Sequence, residues 1–132
     1  PGGNWENLKP YQVGLIKGWK ILEANVGNFP KITYYHSARD LFHGLELDRV
    51  DIILYGKLIG YAVMKELNID NFKVLTPAFA TKKMYMYLHK KHRSKIPDLS
   101  NALKQMKQDG TYNKIVSQSL IPYKKVMAPD AK

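Results

Sequence analysis

Short apolar strands and short helical patterns alternate along the first part of this chain, and that alternation restricts the fold more than any other feature. The stretch Gln12 to Ile16, inside "YQVGLIKG", reads as a strand stopped by Gly18. "WKILEANV" follows with Ile21, Leu22 and Val26 at helical spacing, and Asn25, Gly27, Asn28 and Pro30 end it. "KITYYHS" is rich in β-branched and aromatic residues and predicts a second strand. Ser37 with Asp40 three residues on resembles a capping box, with Asp in place of the usual Glu. The helix it opens carries Leu41, Phe42 and Leu45 inward. In "VDIILYG" the run Val50, Ile52, Ile53, Leu54 is almost continuously apolar, as in a strand covered on both faces. "KLIGYAVMKEL" is a helix weakened by Gly60, and "FKVLTP" predicts a fourth strand ended by Pro77. Strand and helix in strict alternation predict an α/β fold. It is a three-layer lobe, a mainly parallel sheet with helices on both faces and right-handed crossovers.

The character changes after Ala78. "KMYMYLHKKH" alternates Met84, Met86, Leu88 against Tyr85, Tyr87, His89 and predicts a strand. "PDLSNALKQMKQDG" is a helix begun by Pro97 and Asp98, with Leu99, Ala102, Leu103 and Met106 as its stripe and Asp109-Gly110 as its stop. Thr111 is placed to cap a last helix with Tyr112, Ile115, Val116 and Leu120 inward, and Pro122 stops it. The tail from Ile121 to Lys132 has no periodicity and reads as loose.

Composition excludes several classes of function. The chain has 132 residues, no cysteine and a hydrophobic fraction of 45%, so disulfides, thiolate metal sites and cysteine nucleophiles are out. No apolar run is long enough to span a membrane, and "PGGNWENLKP" has neither the basic nor the apolar region of a secretory signal. His36, His43, His89 and His92 form no metal-ligand pattern. Asp40, Asp48, Asp51 and Asp109 each have a structural place: first helical turn, turn, strand start and helix end. No carboxylate pair, nucleophile elbow or phosphate loop is present, so no catalytic residue, metal or cofactor is expected. The net charge is +10, densest in "TKKMYMYLHKKHRSK". Bases and aromatics interleave there, but not in the order of a known stacking platform, and no nucleic-acid partner is expected.

Three stretches together resemble the bacterial extracellular solute-binding proteins of family 3, with the periplasmic-binding-protein type 2 fold. "NWENLKPYQVGLIKGWKI" is similar to that family's lead-in, strand and ligand-facing glycine. "HSARDLFHGLELDRVDIILYG" is similar to its central stretch, with Leu45, Arg49, Val50 and Asp51 in place. "KKMYMYLHKKHRSKIPDLSNALKQMKQDGTYNKI" is similar to its closing segment, "DGTYNKI" being the most specific piece. The resemblance runs from Trp5 to Leu120. It implies that residues 5–79 are the second lobe of a two-lobed protein. Residues 80–120 are then the crossing strand and the helices that normally complete the first lobe, most of which is lacking. It further implies a periplasmic, non-catalytic ligand-capture module read by a membrane transporter or a signalling partner. A sensor domain of a membrane signalling protein, or a dehydratase-like or transglycosylase-like enzyme lobe, would share the fold. The helical stripe left without its usual sheet implies a homodimer or a swapped assembly.

The same resemblance assigns ligand-binding residues: Gly18, Trp19, Lys20, Ser37, Tyr55 and Gly56. Amino-acid binders of the family carry small or hydroxyl residues after the glycine, and an acid five residues beyond the "VD" aspartate. Here those positions hold Trp19 and Lys20, and Gly56. Both halves of the zwitterion clamp are altered. A flat, aromatic or anionic small molecule suits an indole, a phenol and an ammonium better than a standard α-amino acid does.

Overall fold

The computed structural model describes residues 3–127. The chain forms two compact units. Among the described residues, one holds 3–81 together with 125–127; the other is Lys82–Lys124.

The first unit is α/β. It opens with a 3-10 turn, Trp5–Leu8, whose Asn4 side chain accepts the Glu6 N–H. The order is then β1 (Val13–Ile16), α1 (Lys20–Val26), β2 (Ile32–Tyr35), α2 (Ala38–Glu46), β3 (Ile52–Ile53) and α3 (Lys57–Leu67). The three strands are parallel in the order β2-β1-β3. Val13 lies opposite both Ile32 and Ile52, so β1 is the central strand. The entry to the sheet is pinned by side chains. The Gln12 N–H donates to Asp51 Oδ2 at 2.7 Å, the Asp51 N–H returns to the Gln12 carbonyl at 2.8 Å, and Gln12 Nε2 donates to Thr33 Oγ1 at 2.7 Å. Asp51 therefore has a structural task at the head of β3, as its position after Val50 suggests.

Alternation along β1 sends Val13 and Leu15 to one face and Gly14 to the other. Val13 and Leu15 pack with Leu22 and Val26 of α1, and with Leu8 and Leu54. Gly14 faces Leu41 of α2, Tyr35 and Ile53. Helices thus cover both faces of the sheet, which follows from right-handed crossovers when β2 and β3 flank β1. Ser37 caps α2, accepting the Asp40 N–H at 3.1 Å and donating to Asp40 Oδ2 at 2.7 Å. Asn68 ends α3 in the left-handed conformation (φ 56°), with the Ile69 N–H on the Met64 carbonyl and both those side chains buried.

The second unit holds a 3-10 segment, Lys90–Lys95, then α4 (Ile96–Gln108) and α5 (Thr111–Leu120), followed by a 3-10 turn at Ile121–Tyr123. None of its residues is buried.

The structure corrects four expectations. "FKVLTP" forms no strand, and Val74 and Leu75 are exposed. Nor does "KMYMYLHKKH": Met84 and Tyr87 are 92% and 90% exposed, and Lys90–His92 belong to the 3-10 segment, so an alternating pattern without a sheet edge beside it stays solvated and unpaired with any strand. Thr111 does not cap α5. Gly110 holds the cap position at φ 83°, and the Asp109 carboxylate accepts the Thr111 N–H at 2.8 Å. The tail is helical where it is described, with α6 at Lys124–Met127; the rest of it lies outside the described residues.

Candidate functional site

In a parallel sheet the loops that leave the C-terminal ends of the strands gather on one edge. A crevice opens there where successive connections run in opposite directions. With the order β2-β1-β3, that point lies between β1 and β3. Gly18, Trp19 and Lys20 follow β1, Tyr55 and Gly56 follow β3, and Ser37 follows β2. All six residues expected from the sequence therefore sit on this edge of the first unit. Five of them flank the switch point, and Ser37 lies on the far side of β1.

Trp19 and Tyr55 are brought together across the switch point. Their rings stack with centroids 4.9 Å apart and planes 19° apart. Phe42 meets Tyr55 edge-on at 5.6 Å and 88°. This T-shaped contact fixes the phenol from below, as the ring quadrupoles favour. Trp19 also packs against the core cluster of α1 and β1. Neither Trp19 nor Tyr55 is fully buried, so each keeps part of its surface in solvent.

The glycine turn behaves as an anion cradle, and the chain fills it itself. Gly18 has φ 93°, a conformation that L side chains rarely adopt. Its N–H donates to Glu23 Oε1 at 2.6 Å, and Lys20 Nζ meets Glu23 Oε2 at 2.9 Å. The Lys20 ammonium first, and then the Gly18 N–H, hold the Glu23 carboxyl below its ordinary value of 4.5. An external anion at this turn would have to displace Glu23. The sequence signal for this was the Lys20–Glu23 spacing of three, which puts the two side chains side by side on a helix.

A pH effect follows. Because the folded value is the lower one, the Glu23 contribution is present above pH 4.5 and is lost as pH falls through the folded value. Glu23→Gln should melt below wild type at neutral pH. The gap between the two should close on acidification, read by thermal melts from neutral to acid pH.

The remaining residues have local tasks. The Ser37 hydroxyl is consumed by the α2 cap. Gly56 stands at the cap of α3 with an ordinary φ of -69°, and its carbonyl accepts the Gly60 N–H at 2.7 Å. A Cβ on Gly56 would sit 2.9 Å from the Ile59 side chain. Among the described residues, no group of His, Asp and Glu is placed to hold a metal ion. No described helix is long and apolar enough to cross a membrane. No family model, no curated protein and no solved structure matches this chain.

Proposed function

We propose that the chain is a non-catalytic, extracytoplasmic solute-binding lobe of the periplasmic-binding-protein type 2 class, and that its ligand is a flat aromatic small molecule. The observation that carries this reading is the stacked Trp19–Tyr55 pair at the switch point of the parallel sheet. Open α/β sheets bind ligands at that position, and an indole against a phenol offers a broad apolar face there. The occupied cradle refines the ligand class. Gly18 and Lys20 already hold the Glu23 carboxylate, so a carboxylate ligand has to compete with an internal one. A stacking ligand instead uses the surface that Trp19 and Tyr55, stacked on each other, still leave in solvent. A standard α-amino acid, which relies on a carboxylate clamp and an opposing acid, gains little from these side chains. In the whole protein, closure of two lobes on the ligand would be read by a membrane transporter or a signalling partner.

The test is a thermal-shift screen of flat aromatic compounds, with and without a carboxylate, since a ligand bound to the folded state raises its melting point. A stabilising compound should lose about tenfold in affinity in Trp19→Ala and in Tyr55→Ala, the size of one lost aromatic stack. Both variants should still melt cooperatively without ligand. A compound whose binding ignores both substitutions removes the basis of the reading.

A further inference from the structure

The second unit combines two properties that one kind of partner satisfies together. The first is charge. Lys82–Lys124 holds ten Lys and Arg against two carboxylates, Asp98 and Asp109, whereas the remainder of the chain is nearly balanced with eleven against nine. Almost all of the +10 therefore sits on one unit. The second is uncovered apolar surface. Although α4 and α5 are neighbours, Leu99, Leu103 and Ile115 remain 41%, 44% and 47% exposed. Ahead of them Tyr85, Met86 and Tyr87 stand open in the basic segment.

At 100° per residue, Ile96, Leu99, Leu103 and Met106 share one arc of α4. Lys95 borders that arc on one side and Lys107 on the other, while Asp98 and Lys104 lie farther round, each about 80° beyond one of its edges. Long lysine stems on the flanks of an apolar arc lay their methylenes along it and carry their charges up and out. A helix with a wide apolar arc, a lysine-rich border and low overall hydrophobicity lies in the plane of a membrane surface. At 13 residues α4 spans about 20 Å, too short to cross a bilayer and sufficient to lie in its headgroup layer.

Other occupants meet only one of the two properties. A second copy could cover the apolar arc, but it would bring the same excess of positive charge against itself. A nucleic acid could neutralise the lysines and stack on Tyr85 and Tyr87, but it would leave the aliphatic arc of Leu99, Leu103 and Met106 uncovered. An anionic bilayer offers phosphates to the lysines and acyl boundary to the arc.

We propose that Lys82–Lys124 is a peripheral docking surface for anionic lipid bilayers, with α4 lying in the headgroup layer and the Lys82–Lys95 segment supplying the electrostatic attraction. The full chain is floated with vesicles of phosphatidylcholine alone, and of phosphatidylcholine with about one third phosphatidylglycerol. It should bind the anionic vesicles, leave the neutral ones in solution, and come off as salt is raised. Lys90→Glu with Lys91→Glu should lower the partition coefficient about tenfold or more, from two attractive charges turned repulsive. Leu99→Ser with Leu103→Ser should also lower it about tenfold, through lost burial at the acyl boundary. Both leucines are already half-exposed, so these variants should keep the wild-type helix content by circular dichroism. As an independent reading, Leu103→Trp should shift its emission to the blue on anionic vesicles and not on neutral ones. Failure to bind anionic vesicles overturns the proposal. So does binding that ignores the leucine pair, an unshifted Leu103→Trp emission, or tighter binding to oligothymidylate than to vesicles at the same salt. A stable dimer in light scattering that no longer binds vesicles overturns it as well. None of these readouts involves Trp19 or Tyr55, so this proposal and the ligand-binding reading fail separately.

Discussion

Leu15→Ala is expected to destabilise the first unit by about 3–5 kcal/mol. Leu15 has no exposed surface and stands in the central strand, among Leu8, Val13, Leu22, Val26 and Leu54. Three strands and three helices supply the packing of this unit, so a cavity at its centre has few neighbours that can collapse into it. A unit of roughly 80 residues has a total stability of about 4–12 kcal/mol, and the loss takes up a large part of that. In urea the midpoint should fall while the slope stays unchanged, because the surface exposed on unfolding is nearly the same. A loss below about 1 kcal/mol would mean that Leu15 is not at the centre of a packed core.

The second large effect distinguishes two glycines in neighbouring helices. By helix propensity alone, alanine in place of glycine stabilises a helix interior by about 1 kcal/mol. Gly44 lies in α2 directly under the Tyr35 ring. A methyl there would overlap the Tyr35 hydroxyl and stand 2.5 Å from its Cζ and 2.9 Å from its Cε1. The ring would have to leave the face of β2, and overpacking of this kind costs about 1–3 kcal/mol. Gly44→Ala should therefore destabilise, against its propensity. Gly60 in α3 is the control. A methyl there would lie 3.6 Å from Phe42 Cζ and 3.6 Å from Tyr55 Cδ1, which is ordinary contact. Gly60→Ala should raise stability by about 0.5–1 kcal/mol. Chemical denaturation of the two variants should show opposite signs; the same sign in both would mean that Tyr35 does not pack on Gly44.

The fold was legible where local signals and their neighbours agreed. β1, α1, β2 and α2 carry their own punctuation: Gly18 after β1, Gly27 and Pro30 after α1, and the Ser37–Asp40 cap between β2 and α2. Each has a partner nearby in the chain. β3 is shorter than its apolar run, Ile52–Ile53, and pairs with Val13 and Gly14 of β1. The two strands expected at "FKVLTP" and "KMYMYLHKKH" failed for a common reason. A strand is stabilised by the strand beside it, and a period-two pattern does not say whether that neighbour exists. The helices α4 and α5 needed no neighbour to be read, since Pro97 and Asp109-Gly110 mark their bounds locally.

The site was legible in part. Strand ends in a parallel sheet converge by topology, so residues separated by 36 positions, such as Trp19 and Tyr55, come together without any local signal that they touch. Phe42, which supports Tyr55 from α2, could not be told from an ordinary core aromatic. Glu23 was readable as a partner of Lys20 by spacing. That it turns back to the Gly18 N–H depends on the left-handed turn, which the glycine permits and does not announce. The occupied cradle moves the weight of the ligand reading from charge to stacking. The two proposals fall on different units: ligand recognition on the strand ends of the first, charge-driven docking on the second.

The central claim is that the ends of β1 and β3 form the ligand surface. Amide chemical-shift mapping tests it most directly, with the isotope-labelled chain titrated with a stabilising aromatic compound. The largest perturbations should fall on Gly18, Trp19, Lys20, Tyr55 and Gly56, with smaller ones on Phe42 and Glu23. Perturbations confined to Lys82–Lys124, or spread evenly over the core without a maximum at Trp19 and Tyr55, would contradict it.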